Sequence, residues 1–306
     1  MNMKGCTLFS ADDASLYNQF FSLSKTEISD SCLNSRVAWN SGFAYHKCVI
    51  DDTLCLVSDG GIFTTPHMTW PVGEMDAPTL QRIIDRVQPI FQERDWELRM
   101  MYIDEMNLEL VQALDGYDAD ISYNRDFSDY VYDAQEMREL SGKSMHGKRN
   151  HINRFMRTYP DFKYEQIKPE DRDEALGLVK AWCDEKDLDC MDLVSSDYRA
   201  IRQLFIDFDK LDLFGGSIRT NGRLVAFSLG SLPRPDTAVI HFEKADTAIR
   251  GLYAVINKLT MDHTFPDVKY VNREEDMGIR GLRKAKKSYG PIRMIKKYEA
   301  KITKKS

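Results

Sequence analysis

Two stretches in the C-terminal half hold residues whose types and spacing suit proton transfer beside an anion. In VIHFEKA, residues 239–245, strict alternation puts Val239, His241 and Glu243 on one side of a strand, with Ile240 and Phe242 on the other. His241 and Glu243 are then neighbours, the arrangement wanted for a general base and its partner. An edge strand with one solvated face gives the same pattern, and both readings stay open. In YVNREEDMGIRGLRKAKKSYGP, residues 270–291, an apolar strand ends in Asn272, Arg273, Glu274, Glu275 and Asp276. Glu275 and Asp276 suit a helix start, where each acid gains about 0.3–1 kcal/mol from the macrodipole. Asn272 and Arg273 have no such explanation, because a strand end needs neither. In the helix that follows, Ile279, Leu282, Ala285 and Tyr289 make one face and Arg280, Lys284 and Lys287 another. That second stripe is either solvated or an anion-binding edge.

Two further sites are weaker. In AIRGLYAVIN, Arg250 and Gly251 precede a helix whose first-turn amides suit a phosphate; capping and close packing explain them equally well. In SMHGKRNHINRFMRTYP, Met145, Ile152, Phe155, Met156 and Tyr159 form an apolar stripe that also carries Arg149, with Asn153 one turn on. An arginine on such a stripe either makes a structural ion pair or points its planar fork into a cleft to hold an anion. No nucleotide P-loop, GxSxG or HExxH occurs, and nothing marks a metal site. The six cysteines (Cys6, Cys32, Cys48, Cys55, Cys183, Cys190) form no CxxC pair, and buried reduced thiols are expected.

These residues need elements to position them. LFGGSIRTNGRLVAFSLGSL reads as a hairpin about an Asn221-Gly222 turn. PRPD then turns the chain into the strand of His241 and Glu243. A helix from about Leu252, a strand at 267–274, the basic helix and a last strand, IRMIKKYEAKI, complete the half. The first half repeats that order in degenerate form: a hairpin about Asp51-Asp52, a helix at 78–94, the strand WELRMMYID, the helix NLELVQALDGY, and ISYNRDFSDYVYDA as a strand pair or one bent strand. Alternating hairpins and crossover helices predict an α/β fold in which mixed, mostly antiparallel sheets are flanked by helices. Ligands of such sheets sit at the carboxyl ends of strands. The expected division is an N-terminal lobe, 1–140, and a C-terminal lobe, 141–306, entered by a basic linking helix at 144–159.

With 306 residues, 42% hydrophobic and 29% charged, the composition is that of a folded soluble chain. No apolar run reaches the roughly 18 residues that span a bilayer, and residues 1–10 lack the apolar core of a secretory signal. The expectation is a cytoplasmic protein without a transmembrane segment. The net charge of −6 hides an asymmetry: residues 280–306 hold eleven Lys or Arg against one Glu, and Arg138 to Arg157 hold six against one. Basic patches on an acidic chain suggest a local anionic ligand; for residues 296–306 a lysine-rich solvated tail is the alternative.

SGKSMHGKRNHINRF, LFGGSIRTNGRLVAFSLG, VIHFEKADTAIRGLYAVIN and YVNREEDMGIRGLRKAKKSYGP resemble the catalytic C-terminal domain of phosphatidylglycerol lysyltransferases, over roughly residues 30–300. Those are tandem GNAT (acyl-CoA N-acyltransferase-like) folds, and the Fem peptidyltransferases are similar in plan. The resemblance implies transfer of an acyl or aminoacyl group, from aminoacyl-tRNA or from acyl-CoA, and no metal. It implies tRNA as a partner, a small-molecule or lipid-headgroup acceptor, and peripheral membrane contact. RGLYA keeps Arg250, Gly251 and Ala254 of the acyl-CoA pyrophosphate loop but lacks its second glycine, which is compatible with a tRNA-borne donor. By the same resemblance Glu243, with His241, is the general base or orients the acceptor, Glu274 joins the catalytic group, and Tyr289 donates a proton to the leaving group. Lys148, Arg149, Arg250, Gly251, Arg283, Lys284 and Lys286 meet donor phosphates. Asn153, Tyr253, Asn257, Asn272, Arg273 and Asp276 shape the acceptor pocket. An acetyl-CoA-dependent N-acetyltransferase and a catalytically inactive ligand-binding module are the alternatives.

Overall fold

A computed structural model of the chain describes residues 5–62, 65–185 and 197–305. Met1 to Lys4, Cys190 and Ser306 lie outside the described residues. In chain order the first elements are β1 (Thr7–Leu8), α1 (Ala14–Phe21), α2 (Leu33–Phe43), β2 (His46–Ile50), β3 (Thr53–Ser58), β4 (His67–Thr69), α3 (Ala77–Gln92), β5 (Leu98–Asp104), α4 (Leu108–Gln112) and β6 (Tyr117–Tyr123). Then come β7 (Asp129–Asp133), α5 (Ala134–Glu139), α6 (His146–Thr158), β8 (Lys163–Gln166), α7 (Arg172–Glu185), α8 (Asp197–Ile206), β9 (Phe214–Thr220), β10 (Arg223–Arg234) and β11 (Thr237–Ala245). The last are α9 (Leu252–Leu259), β12 (Tyr270–Asn272), α10 (Arg280–Lys287), β13 (Arg293–Ile295) and β14 (Lys297–Lys304).

Two seven-stranded mixed sheets result, in the orders β1-β2-β3-β4-β5-β14-β6 and β13-β7-β12-β11-β10-β9-β8. Both hairpins form where the turn chemistry places them. Asn221 and Gly222 sit at φ 51° and 78°, Asp51 and Asp52 at 46° and 54°, the double left-handed pair of a twisted two-residue turn. Each sheet has a parallel junction reached by a crossover helix: β4 with β5, and β11 with β12.

The strands divide differently from the expected cut at residue 140. The segment 117–133 is two strands in different sheets, β6 in the first and β7 in the second, where Val131 pairs Asn272. The last strand also splits: β13 joins the second sheet, while β14 lies between β5 and β6 in the first. The compact units are residues 1–128 with 295–306, and residues 129–294. The lysine-rich end is therefore not a solvated tail. Ala300 and Ile302 are buried in the first core, because every second residue of a strand inside a sheet faces the packed side.

In the first unit α3 covers the sheet with Leu80, Ile83, Ile84, Val87 and Phe91, all fully buried. Its start is fixed by the Asp76 side chain, which accepts from Thr79 N at 2.8 Å. In the second unit α6 and α9 cover the sheet through Ile152, Phe155, Leu252, Val255 and Ile256; Met156, expected on that stripe, is exposed. Cys183 is disulfide-bonded, so burial on α7 has not kept its thiol reduced as expected, whereas Cys6, Cys32, Cys48 and Cys55 are free. Among the described residues no helix is long and apolar enough to cross a membrane.

Candidate active site

The second unit opens where its parallel strands part. β11 and β12 pair over three residues only, from Thr237 with Tyr270 to Val239 with Asn272. β11 then runs on to Ala245. The chain after β12 stays on β7 instead: Arg273 N donates to Tyr130 O and Tyr130 N to Glu274 O. Glu274 adopts φ 56°, a left-handed conformation that non-glycine residues rarely take outside functional or tightly constrained sites. The side chains of Arg273 and Glu274 thus reach the unpaired stretch of β11.

β11 is not the plain alternating strand its sequence suggests. Against β10, Phe242 pairs Leu229 and Ile240 pairs Gly230, so His241 is the extra residue of a bulge. The bulge resets the alternation, and Ile240 and Ala245 share one core cluster despite an odd spacing. His241 and Glu243 consequently belong to separate networks. His241 Nε2 lies 2.8 Å from Ser231 Oγ, and Nδ1 lies 2.9 Å from Glu274 Oε1. The Glu243 carboxylate instead binds Arg273 through Oε2 and accepts from Asn257 Nδ2 at 3.1 Å through Oε1.

Arg273 is surrounded by aromatics, its Cζ lying 4.9 Å from the Tyr289 ring centroid and 5.8 Å from that of Tyr132. Burial is the main reason both phenols are pushed up, Tyr289 to about 12, so they stay protonated at neutral pH. Two atoms of this cluster are left over. Arg273 Nη1 and Asn257 Oδ1 are buried and have no hydrogen-bond partner. Leaving a buried donor and a buried acceptor unmade costs about 1–3 kcal/mol each. Their residues hold the two oxygens of the one Glu243 carboxylate, so a ligand that satisfied both atoms would need an acceptor and a donor.

The remaining expected residues divide. Lys148 reaches the cluster: its Nζ is 4.2 Å from the Tyr289 centroid and donates to Ser288 O at 2.7 Å, and burial, then the charge of Arg273, lowers its pKa. Others hold the backbone. Asn272 Nδ2 donates to Asp129 at 2.9 Å while its Oδ1 accepts from Glu274 N at 2.8 Å. Asp276, fully buried, accepts from Tyr130 Oη and pairs with Arg283 Nη2 at 2.7 Å. Lys286 Nζ donates to the carbonyls of Arg273 and Glu275, and burial pulls its pKa down to about 8. Arg149 Nη1 donates to Leu140 O and Gly142 O, closing the end of α5. Gly251 sits at φ 87°, and a Cβ there would lie 2.5 Å from His151 Cβ, so both its backbone and its packing demand glycine. Asn153, Arg250, Tyr253 and Lys284 are exposed, and Lys284 lines an open basic depression with Arg280, Arg283, Lys287 and Ser288. Sequence reasoning missed Ser231 and Tyr132. Tyr132 had a signal, the alternating Tyr130 and Tyr132 of DYVYD; Ser231 had none, because only the bulge brings it to His241.

Residues 33–301 match the family described as phosphatidylglycerol lysyltransferase, C-terminal. An uncharacterized protein of Mycoplasmoides gallisepticum is 28% identical over 215 residues, 67% of this chain and 66% of that protein, just under two thirds of its length. A conserved protein of unknown function from Bacteroides thetaiotaomicron is 31% identical with a TM-score of 0.89, covering 98% of this chain and 100% of that one. The C-terminal domain of a lysylphosphatidylglycerol synthetase from Agrobacterium fabrum superposes at TM-score 0.66 and 14% identity, over 95% and 92% of the two chains. In fold alone, FemX is alike at TM-score 0.62 and 8% identity, covering 100% of this chain and 95% of that one. So is a tandem GNAT protein of the clavulanic acid pathway, at 0.52 and 10%, covering 97% and 98%. A match across 33–301 takes in most of both units, and on that ground the chain belongs to the phosphatidylglycerol lysyltransferase C-terminal family.

Proposed function

We propose that this chain moves an aminoacyl group from charged tRNA to the hydroxyl of a small polar or lipid-headgroup acceptor. The observation that carries the reading is the unpartnered pair at Glu243, Arg273 Nη1 and Asn257 Oδ1. An aminoacyl ester supplies both missing partners. Its carbonyl oxygen accepts from Arg273, and its α-ammonium donates to Asn257. An acetyl group has the carbonyl only and would leave Asn257 unsatisfied, a penalty of the kind that makes polar sites discriminate strongly. The loop before α9 agrees: Leu252 N already bonds Ile249 O, and His151 packs against Gly251, where a pyrophosphate would have to approach.

In this reading Glu243, held by two donors, orients Arg273 and Asn257 and is not itself the base. The acceptor hydroxyl gives its proton to the Glu274–His241 pair as its oxygen bonds the ester carbon. Charge developing on the carbonyl oxygen meets Arg273, a stabilisation worth several kcal/mol when preorganised. The tRNA ribose oxygen leaves with a proton, for which Tyr289 is the nearby donor that burial keeps protonated. The test is an assay with radiolabelled aminoacyl-tRNA and vesicles containing phosphatidylglycerol or a pool of soluble polyols. Label passing from tRNA to an acceptor supports the reading. Acetyl-CoA turnover with an amine, and none with charged tRNA, overturns it.

A further inference from the structure

Arg36, on α2 of the first unit, is 3% exposed, and nothing in the proposed transfer uses it. Its Cζ lies 4.6 Å from the Tyr102 ring centroid and 5.5 Å from that of Tyr45. One corner of its fork is occupied: Nη1 donates to Tyr45 Oη at 3.3 Å. Tyr45 Oη in turn lies 3.4 Å from His67 Nε2, and His67 Nδ1 lies 3.0 Å from Thr65 O. Burial, with a further push from Arg36, holds the His67 pKa down to about 4, so the ring is neutral at neutral pH. It then donates to Thr65 and accepts from Tyr45. Tyr17 Oη donates to Ser31 O at 2.8 Å and keeps its lone pairs; burial raises its pKa to about 12 against the pull of the neighbouring Arg36, so it meets the guanidinium as a neutral hydroxyl.

The other corner is idle. Arg36 Nε and Nη2 are buried without a hydrogen-bond partner, and no carboxylate pairs with Arg36 among the described residues. Asp30, whose charge bears on it, is itself held by Lys297. Tyr102 stands inside β5 at φ 63°, and its ring is the one nearest the guanidinium. The second unit offers a contrast: there Arg273 also lies between two tyrosine rings, but with Glu243 bonded to it. That neutral pair leaves one donor and one acceptor over. Here no acid takes Glu243's place, and two donors on one edge of a planar cation remain. A buried guanidinium so placed is strongly unfavourable until an anion meets it.

We propose that Arg36 anchors an anion site in the first unit, taking the two oxygens of a carboxylate or phosphodiester on Nε and Nη2 beneath the Tyr102 ring. The fork matches the oxygen spacing of either group, which an ammonium would not. The site goes beyond the transfer reading, and its test involves no turnover. In protein labelled with 15N-arginine, the Arg36 Nε–H resonance is assigned by its absence from Arg36→Lys, which keeps the charge and so favours keeping the fold. It is followed as acetate or glycerophosphoglycerol is added at constant ionic strength. A saturable shift supports the site; response to acetate alone marks a carboxylate, and to the diester alone a phosphodiester. The same anion at a hundredfold excess over Kd should raise the wild-type thermal midpoint by roughly 4 °C, with the rise absent or much smaller in Arg36→Lys. No shift with either anion, or an equal rise in both proteins, overturns the proposal and leaves Arg36 a structural residue met by internal water.

Discussion

Glu274 reaches β11 from a left-handed backbone position and meets His241 there at 2.9 Å. If this pair takes the acceptor's proton, Glu274→Gln keeps the hydrogen bond but lowers turnover by about 10²–10⁴, with an unchanged thermal midpoint. A large fall in midpoint with little loss of rate would make Glu274 a structural residue. Lys286 allows a test of another kind. Burial drops its pKa from the ordinary 10.5 to about 8. Below pH 8 the ammonium is charged in folded and unfolded chains alike, and its desolvation opposes folding. Between pH 8 and 10.5 the folded chain sheds a proton that the unfolded chain keeps, so this residue's contribution rises with pH, by up to about 3 kcal/mol. Wild type should therefore gain on Lys286→Met across that window in denaturant melts; a constant difference would show that Lys286 titrates normally.

At the scale of elements, glycine at the start of α9 is fixed twice, by φ 87° and by His151. Gly251→Ala should cost about 2 kcal/mol or more in a denaturant melt, and a neutral result would mean that α6 moves aside freely. The same elements show how far the sequence could be read. Both hairpins were legible because Asn-Gly and Asp-Asp turns carry their own dihedral preferences. The charged end of β12 was legible as a candidate site because a strand end has no structural need for Arg273. The pairing within that site was not. Alternation put His241 and Glu243 on one face, and a single bulged residue separated them. The resemblance put Lys286, Arg283 and Arg149 at donor phosphates, yet carbonyls and Asp276 hold them, contacts that sequence cannot show because they depend on where distant loops pass. Arg36 gave no signal at all, being one arginine in a helix with no clear apolar period.

For the whole molecule, the relevant quantity is the uneven charge. Tight association with a polyanion would draw on the local surplus at α6, α10 and residues 293–305, since the rest of the chain is acidic. If charged tRNA is the donor, its affinity should fall steeply with salt, and replacing exposed Arg280, Lys284 and Lys287 by glutamine should flatten the slope of log K against log salt by up to about 2–3. An unchanged slope would place the nucleic acid elsewhere. The strand β14 carries a different consequence. It sits between β5 and β6, yet in chain order it follows every other described element. Residues 129–294, by contrast, are all translated before it. Until residues 297–304 emerge, β5 and β6 each present an unsatisfied backbone ladder, the condition that invites aggregation. A chain ending at Ile295 should lose amide-exchange protection in β5 and β6 while β9 to β11 keep theirs. The first unit is thus closed only by a strand translated after all of residues 129–294, and a nascent chain stalled before residue 297 would carry a folded second unit and an open first sheet that chaperones can grip.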